Sequence, residues 1–340
     1  MDVFALQRAL INRYNAMVTR DLYREVDALF PGAEKGEAVS FDGTRLHYIT
    51  VGSGLPLMIC NGVWCTYTYH HHMADYFRGR CRLIFWDYRG HSRSQVPEDP
   101  DSFTMPNFAR DAAAVLDAAG EEKAVLLGFS MGVMTILEFW HLFPQRVLGL
   151  IPLNGPYRSS LALFSESEWF HRLASEVVKG LSRHTWLLSW FTPIVTLPIN
   201  YPIAKLVEIH PHLCPRHEMD LYFKNIVRND LASGLQAIRM MIEYDASGFV
   251  GDIDVPTLVI GGTEDGWTPE HLMRELHEAI SDSEFFLVKQ GTHATPIEQP
   301  DVINLRVDLW LRDHFASFLN AAGSKKGPVP KRSRGSLRAV

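Results

Sequence analysis

The stretch AVLLGFSMGVMTILEFW, residues 124–140, carries Gly128-Phe129-Ser130-Met131-Gly132 between a strand-like run (AVLLGF) and a helix-like one (GVMTILEFW). Glycines two before and two after the serine remove side chains that would clash in a very tight strand-to-helix turn. The turn holds the Ser130 hydroxyl out at the carboxyl edge of a sheet. There the helix N-terminus and the backbone N–H of Met131 favour developing negative charge.

Working outward, short apolar runs recur at Leu46 to Val51, Leu57 to Cys60, Leu83 to Trp86 and Leu148 to Leu153, with helical stretches between them. Thr104 and Pro106 open one such helix, and Pro144 stops the apolar helix Met131 to Phe143. Strands apolar on both faces suit a parallel sheet covered by helices. The alternation stops near Pro156 and resumes after Asp245, with strands Thr257 to Ile260 and Phe285 to Val288 and a last helix from Asp301 to Leu319. These boundaries predict a core over 37–155 and 246–320 and an inserted cap or lid over 156–245. Within the cap, Thr185 to Ala204 is long enough to span a membrane and bears no formal charge. Pro193, Pro198 and Pro202 would break such a helix, so a lid lining an apolar pocket is favoured over interfacial membrane contact.

The chain has 340 residues, 46% hydrophobic and 21% charged, which describes a folded protein rather than a disordered or fibrous one. A net charge of −6 argues against a nucleic-acid partner. The basic groups Lys325, Lys326, Lys331, Arg332, Arg334 and Arg338 sit in a tail, 321–340, whose composition predicts disorder. Residues 1–36 read as an amphipathic N-terminal helix on Val3, Leu6, Leu10, Tyr14 and Met17, ending near Pro31-Gly32. Packing on the body is favoured for it, with weak membrane-surface or dimer contact as the alternative; oligomeric state is left open. Four irregularly spaced cysteines fit a reducing compartment, and the interrupted apolar pattern of the N-terminus lacks a signal-peptide core, so a cytoplasmic location is expected.

A serine needs a base to take its proton and a carboxylate to orient that base. Asp265 lies just past the strand at Thr257 to Ile260, and His293 follows the strand at Phe285 to Val288. Asp265 is preferred to Glu264 on its spacing to Pro269; the alternative for Asp265 is a helix N-cap before that proline.

Together with Asn61-Gly62-Val63, Asp87-Tyr88-Arg89-Gly90-His91-Ser92-Arg93-Ser94, and His293 followed by Glu298 and Pro300, the elbow makes residues 38 to 320 resemble the α/β-hydrolase superfamily, in its cap-bearing serine hydrolase branch. The resemblance implies an α/β-hydrolase fold: a mostly parallel eight-stranded sheet flanked by helices, with an inserted helical cap. It implies Ser130, Asp265 and His293 as catalytic residues and the backbone N–H groups of Val63 and Met131 as the oxyanion hole. Asn61, Gly62, Trp64 and Trp267 are expected to bind substrate. Asn61 stands where the family has histidine, and Ser92 where it has glycine.

The expected activity is cleavage of a carboxylic ester or related small acyl compound with a hydrophobic portion, without cofactor. Perhydrolase or haloperoxidase chemistry, carbon–carbon bond hydrolysis and a receptor with an idle triad are the alternatives. Relatives that open epoxides or remove halogens resemble this chain but use aspartate at the elbow. Trp64, Tyr67 and Tyr69 either line the acyl pocket or pack under the cap. His70-His71-His72 invites a metal reading, but consecutive helical residues diverge by about 100 degrees and cannot all face one ion, so no metal is expected.

Overall fold

The computed structural model describes residues 10, 13–17, 20–159, 168–184, 201, 204 and 209–323. Its strands are β1 Glu34–Val39, β2 Arg45–Gly52, β3 Leu55–Cys60, β4 Cys81–Trp86, β5 Ala124–Phe129, β6 Val147–Leu153, β7 Thr257–Gly262 and β8 Ser283–Val288. They form one sheet in the order β1-β2-β4-β3-β5-β6-β7-β8. The β1–β2 and β2–β4 pairs are antiparallel, and the rest are parallel. Among the described residues, the α-helices of seven residues or more are α1 Leu22–Ala28, α2 His71–Phe77, α3 Met105–Ala118, α4 Met131–Leu142, α5 Glu168–Arg183, α6 Arg216–Ile226, α7 Leu231–Glu243, α8 Glu270–Ala279 and α9 Pro300–Gly323.

Alternate residues of the central strands enter two separate cores, as the twofold period of a strand requires. Met58, Cys60 and Leu126 pack with α3, α4 and α8, whereas Leu57, Ile59, Val125 and Leu127 pack with α1, α2 and α9. Burial on both faces is what the continuous apolar runs encode. In α3 the buried Phe108, Ala112, Val115 and Leu116 make one helical stripe. In α4, by contrast, every residue from Met131 to Trp140 is buried.

Two boundaries differ from the sequence reading. β1 begins at Glu34, inside the stretch assigned to the N-terminal helix. Of EKGEAV only Ala38 is buried, so its strand state comes from pairing with β2 at the sheet edge and not from an apolar period. At the other end, α9 runs to Gly323, into the stretch read as tail. The described part of the N-terminal segment packs on the body through Leu22, Val26 and Phe30, all buried. The lid reading of 185–204, except Tyr201 and Ala204, and the tail beyond Gly323 lie outside the described residues. Among the described residues no helix is long and apolar enough to cross a membrane.

From β3 the chain crosses to β4 on one side, while β5 adds on the other. This reversal opens a crevice beyond the carboxyl ends of β3 and β5. The segment between β6 and β7, which includes α5, α6 and α7, leaves and rejoins the body at a single antiparallel bridge between Arg158 and Asp245.

Candidate active site

Ser130 follows β5 and caps the start of α4 with φ 54° and ψ −119°. A left-handed serine costs about 1–3 kcal/mol and persists only where its surroundings dictate it. Here its N–H donates to the Leu153 carbonyl at 3.1 Å, and its own carbonyl accepts from Val133 N–H at 3.0 Å. The flanking glycines are required by contact: a β-carbon on Gly128 would strike the Gly132 carbonyl, and one on Gly132 the Cys60 carbonyl. Gly155, after β6, is pressed in the same way against the Ser130 carbonyl.

The loops after β7 and β8 bring Asp265 and His293 to this edge. His293 Nε2 lies 3.0 Å from Ser130 Oγ. Its Nδ1 lies 3.0 Å from Asp265 Oδ2 and 3.2 Å from Oδ1. Asp265 is buried, and burial alone would push its carboxyl up. The facing His293 and the Thr268 donors outweigh that effect and hold it below 3.8. An ionised carboxylate only accepts, so Nδ1 carries the imidazole proton and Nε2 presents a lone pair to the serine hydroxyl. Asp265 Oδ1 also accepts from the N–H groups of Trp267 and Thr268, both at 2.8 Å. The turn and the histidine therefore share one carboxylate, while Glu264 is exposed.

A cavity of about 380 Å³ opens over Ser130 and His293. Val63, Trp64, Cys65, Tyr69 and Phe129 form its floor, and Trp267, 55% exposed, stands at its rim. Tyr222, Phe223 and Ile226 of α6 and Ile238 and Met241 of α7 form the opposite wall. Met131 begins α4, where its N–H has no intrahelical acceptor.

Asn61 and Gly62 do not line the cavity as expected. Asn61 is buried and donates from Nδ2 to the Trp86 carbonyl at 3.2 Å, tying the β3 loop to the end of β4. Gly62 lies beneath Ser130, where an added β-carbon would come 3.1 Å from the serine Cβ. Of the three aromatic residues, Trp64 and Tyr69 reach the cavity, whereas Tyr67 packs under α1 against Phe30 and Phe85. Asn229, between α6 and α7, donates to the Trp64 carbonyl at 2.9 Å and accepts from Ser92 N–H at 2.7 Å. Ser92 takes the left-handed turn with φ 45°. The α6 and α7 wall went unnamed in the sequence reading, since no local period marks which residues of the insertion fold back over Ser130.

A mostly parallel sheet with polar groups gathered at its carboxyl edge beneath an apolar cavity defines a hydrolase of the α/β class. A family model described as alpha/beta hydrolase fold matches residues 56–300, most of the chain, and the chain belongs to that family. Mouse epoxide hydrolase 4 is 30% identical over 294 residues, covering 80% of this chain and 77% of that protein. The 3-oxoadipate enol-lactonase 2 of Acinetobacter baylyi is 25% identical over 277 residues, 80% of this chain and 95% of that protein. Among solved structures, a thermophilic esterase from Thermogutta terrifontis matches with a TM-score of 0.65 at 24% identity, covering 83% of this chain and 100% of its own.

Proposed function

We propose that the protein is a serine hydrolase that cleaves a carboxylic ester or related acyl compound with a hydrophobic portion. His293 Nε2 takes the Ser130 proton as Oγ attacks the carbonyl carbon, and the Val63 and Met131 N–H groups receive the oxyanion. The tetrahedral adduct collapses, His293 returns the proton to the leaving alcohol, and an acyl-Ser130 ester remains. Water, deprotonated by His293, then releases the acid and restores the hydroxyl. Asp265 keeps the imidazole in the required tautomer and stabilises its charged form. These steps call on no cofactor.

The observation that carries this reading is the continuous hydrogen-bonded chain from Ser130 Oγ through His293 to Asp265, opening into an apolar cavity. Similarity to an epoxide hydrolase does not redirect it. A serine that opened an epoxide would form an ether, which water cannot cleave under the same catalysis, whereas an acyl-serine ester is hydrolysable.

A fluorophosphonate probe tests the proposal directly. Labelling of the wild type and loss of labelling in Ser130→Ala are expected, together with turnover of p-nitrophenyl esters. An unlabelled wild type that still binds acyl ligands would instead make the cavity a receptor site.

A further inference from the structure

A second set of side chains converges where α2 of the body packs against α6 of the insertion. His71 and His72 both direct Nε2 at one oxygen of Glu218, Oε1, at 3.4 and 3.3 Å. The three candidate ligand atoms lie within 4.8 Å of one another. Two ligand atoms on one tetrahedral zinc, each 2.0–2.1 Å from the ion, stand about 3.3 Å apart. Both imidazole–carboxylate separations match that spacing.

The proton inventory points the same way. His71 Nδ1 is 2.9 Å from the Thr68 carbonyl. A carbonyl only accepts, so Nδ1 holds the ring proton and Nε2 is left with a lone pair. The side chains of His71 and Glu218 are only 9% and 5% exposed, so a lone pair and a carboxylate oxygen face each other with little water between them. A bound cation would relieve that opposition. The Nδ1–H to carbonyl bond is also the outer contact that orients metal-binding imidazoles.

We propose that His71, His72 and Glu218 bind one divalent transition-metal ion of the zinc class, which pins α6 to α2. Imidazole nitrogens favour such an ion over calcium or magnesium. His72 is 37% exposed and leaves a solvent-facing side. There His217 Nε2, 3.3 Å from the same oxygen and 80% exposed, or a water can complete the shell. Spacing argues against three consecutive histidines on one ion, and His70 does turn away, buried beside Tyr69 and Phe129. The third ligand comes from α6 instead. None of the three ligands lines the cavity, but Tyr222, Phe223 and Ile226 of α6 do, so the ion would steady the cavity wall without entering the chemistry.

The test is calorimetric titration of chelator-treated, full-length protein with zinc chloride, paired with thermal unfolding at graded zinc concentrations. Wild type is expected to bind one equivalent and to gain melting temperature with zinc. His72→Ala removes a half-exposed ligand, and Glu218→Gln keeps the side-chain shape. Each is expected to weaken binding about tenfold or more, since even outer-shell losses cost about that much. Cobalt(II) should give intense tetrahedral absorption bands in wild type and lose them in both variants. Absence of a saturable equivalent in wild type, or undiminished affinity in either variant, overturns the proposal.

Discussion

Thr268 gives the Asp265 carboxylate two hydrogen bonds, one from its N–H to Oδ1 at 2.8 Å and one from its hydroxyl to Oδ2 at 2.6 Å. Oδ2 is also the nearer oxygen to His293. The threonine therefore fixes the rotation of the carboxylate that orients the imidazole. Thr268→Val keeps the backbone bond and the side-chain volume and deletes only the hydroxyl bond. Hydrogen bonds to charged groups contribute about 1.5–3 kcal/mol, so kcat on an activated ester is expected to fall about tenfold or more with little change in KM. Steady-state kinetics of the variant check this; an unchanged kcat would mean that the two backbone N–H groups suffice.

Ser130 and His293 are assigned to a single proton transfer, and that predicts a failure of additivity. Ser130→Ala and His293→Ala should each lower kcat by about a thousandfold or more, and the double variant should be no worse than the poorer single one. Residual rates of all three, measured on one ester, decide the point. Losses that multiply would show that the two side chains act separately.

The elbow could be read in the sequence because its demands are local: Gly128 and Gly132 meet backbone atoms across one turn and β3. Asp265 and His293 were readable because each follows a short apolar run, Thr257 to Ile260 in the buried β7 and Phe285 to Val288 in the half-buried β8. β1 was not, since EKGEAV buries only Ala38 and is held by the β2 ladder. The misassigned Asn61 and Gly62 show a second limit. Loop position was correct, but which way each residue faces depends on β4 and the serine above. Tyr222, Ile238 and Glu218 acquire their neighbours only when the insertion folds back across the body, and nothing in local spacing announces that.

A pair of glycines separates collision from backbone strain. Gly120 has φ +77° with nothing near an added β-carbon, so Gly120→Ala meets only the left-handed penalty of about 1–2 kcal/mol. Gly128→Ala would drive a methyl group into the Gly132 backbone, which cannot move without displacing Ser130. Urea unfolding is expected to rank Gly128→Ala well below Gly120→Ala in stability, with fluorophosphonate labelling lost only in the former.

Asp87 should make stability depend on pH in a sense opposite to Asp265. Burial pushes the Asp87 carboxyl from 3.8 up to about 7, beyond what Arg93 nearby can offset. Between those values the folded protein holds a proton that the unfolded chain has released, so this residue's contribution falls as pH rises from about 4 to about 7 and is level above that. Asp265, held below 3.8, contributes stability above that value and loses it only as pH falls further, outside this window. Urea midpoints at pH 4.5 and 7.5 should therefore differ less in Asp87→Asn than in wild type. Equal differences would mean that Asp87 is already ionised in the folded protein.

The cavity wall sets the last expectation. Ile238 of α7 is half-buried and lines, with Ser130, the 380 Å³ cavity. If acyl chains occupy that space, p-nitrophenyl esters should not be hydrolysed steadily more slowly from acetate to octanoate. Ile238→Trp would fill the wall without touching Ser130, His293 or Asp265. A short acyl group needs only the atoms next to Oγ, whereas a longer chain must lie where the indole now stands. The variant is expected to lose about tenfold or more in kcat/KM on the octanoate, since a forced overlap in a packed site costs about 1–3 kcal/mol. On the acetate it should stay within about threefold, because the catalytic geometry is unchanged. Equal losses on both esters would mean that the acyl chain leaves the site by another route, with the alcohol portion lying against α7.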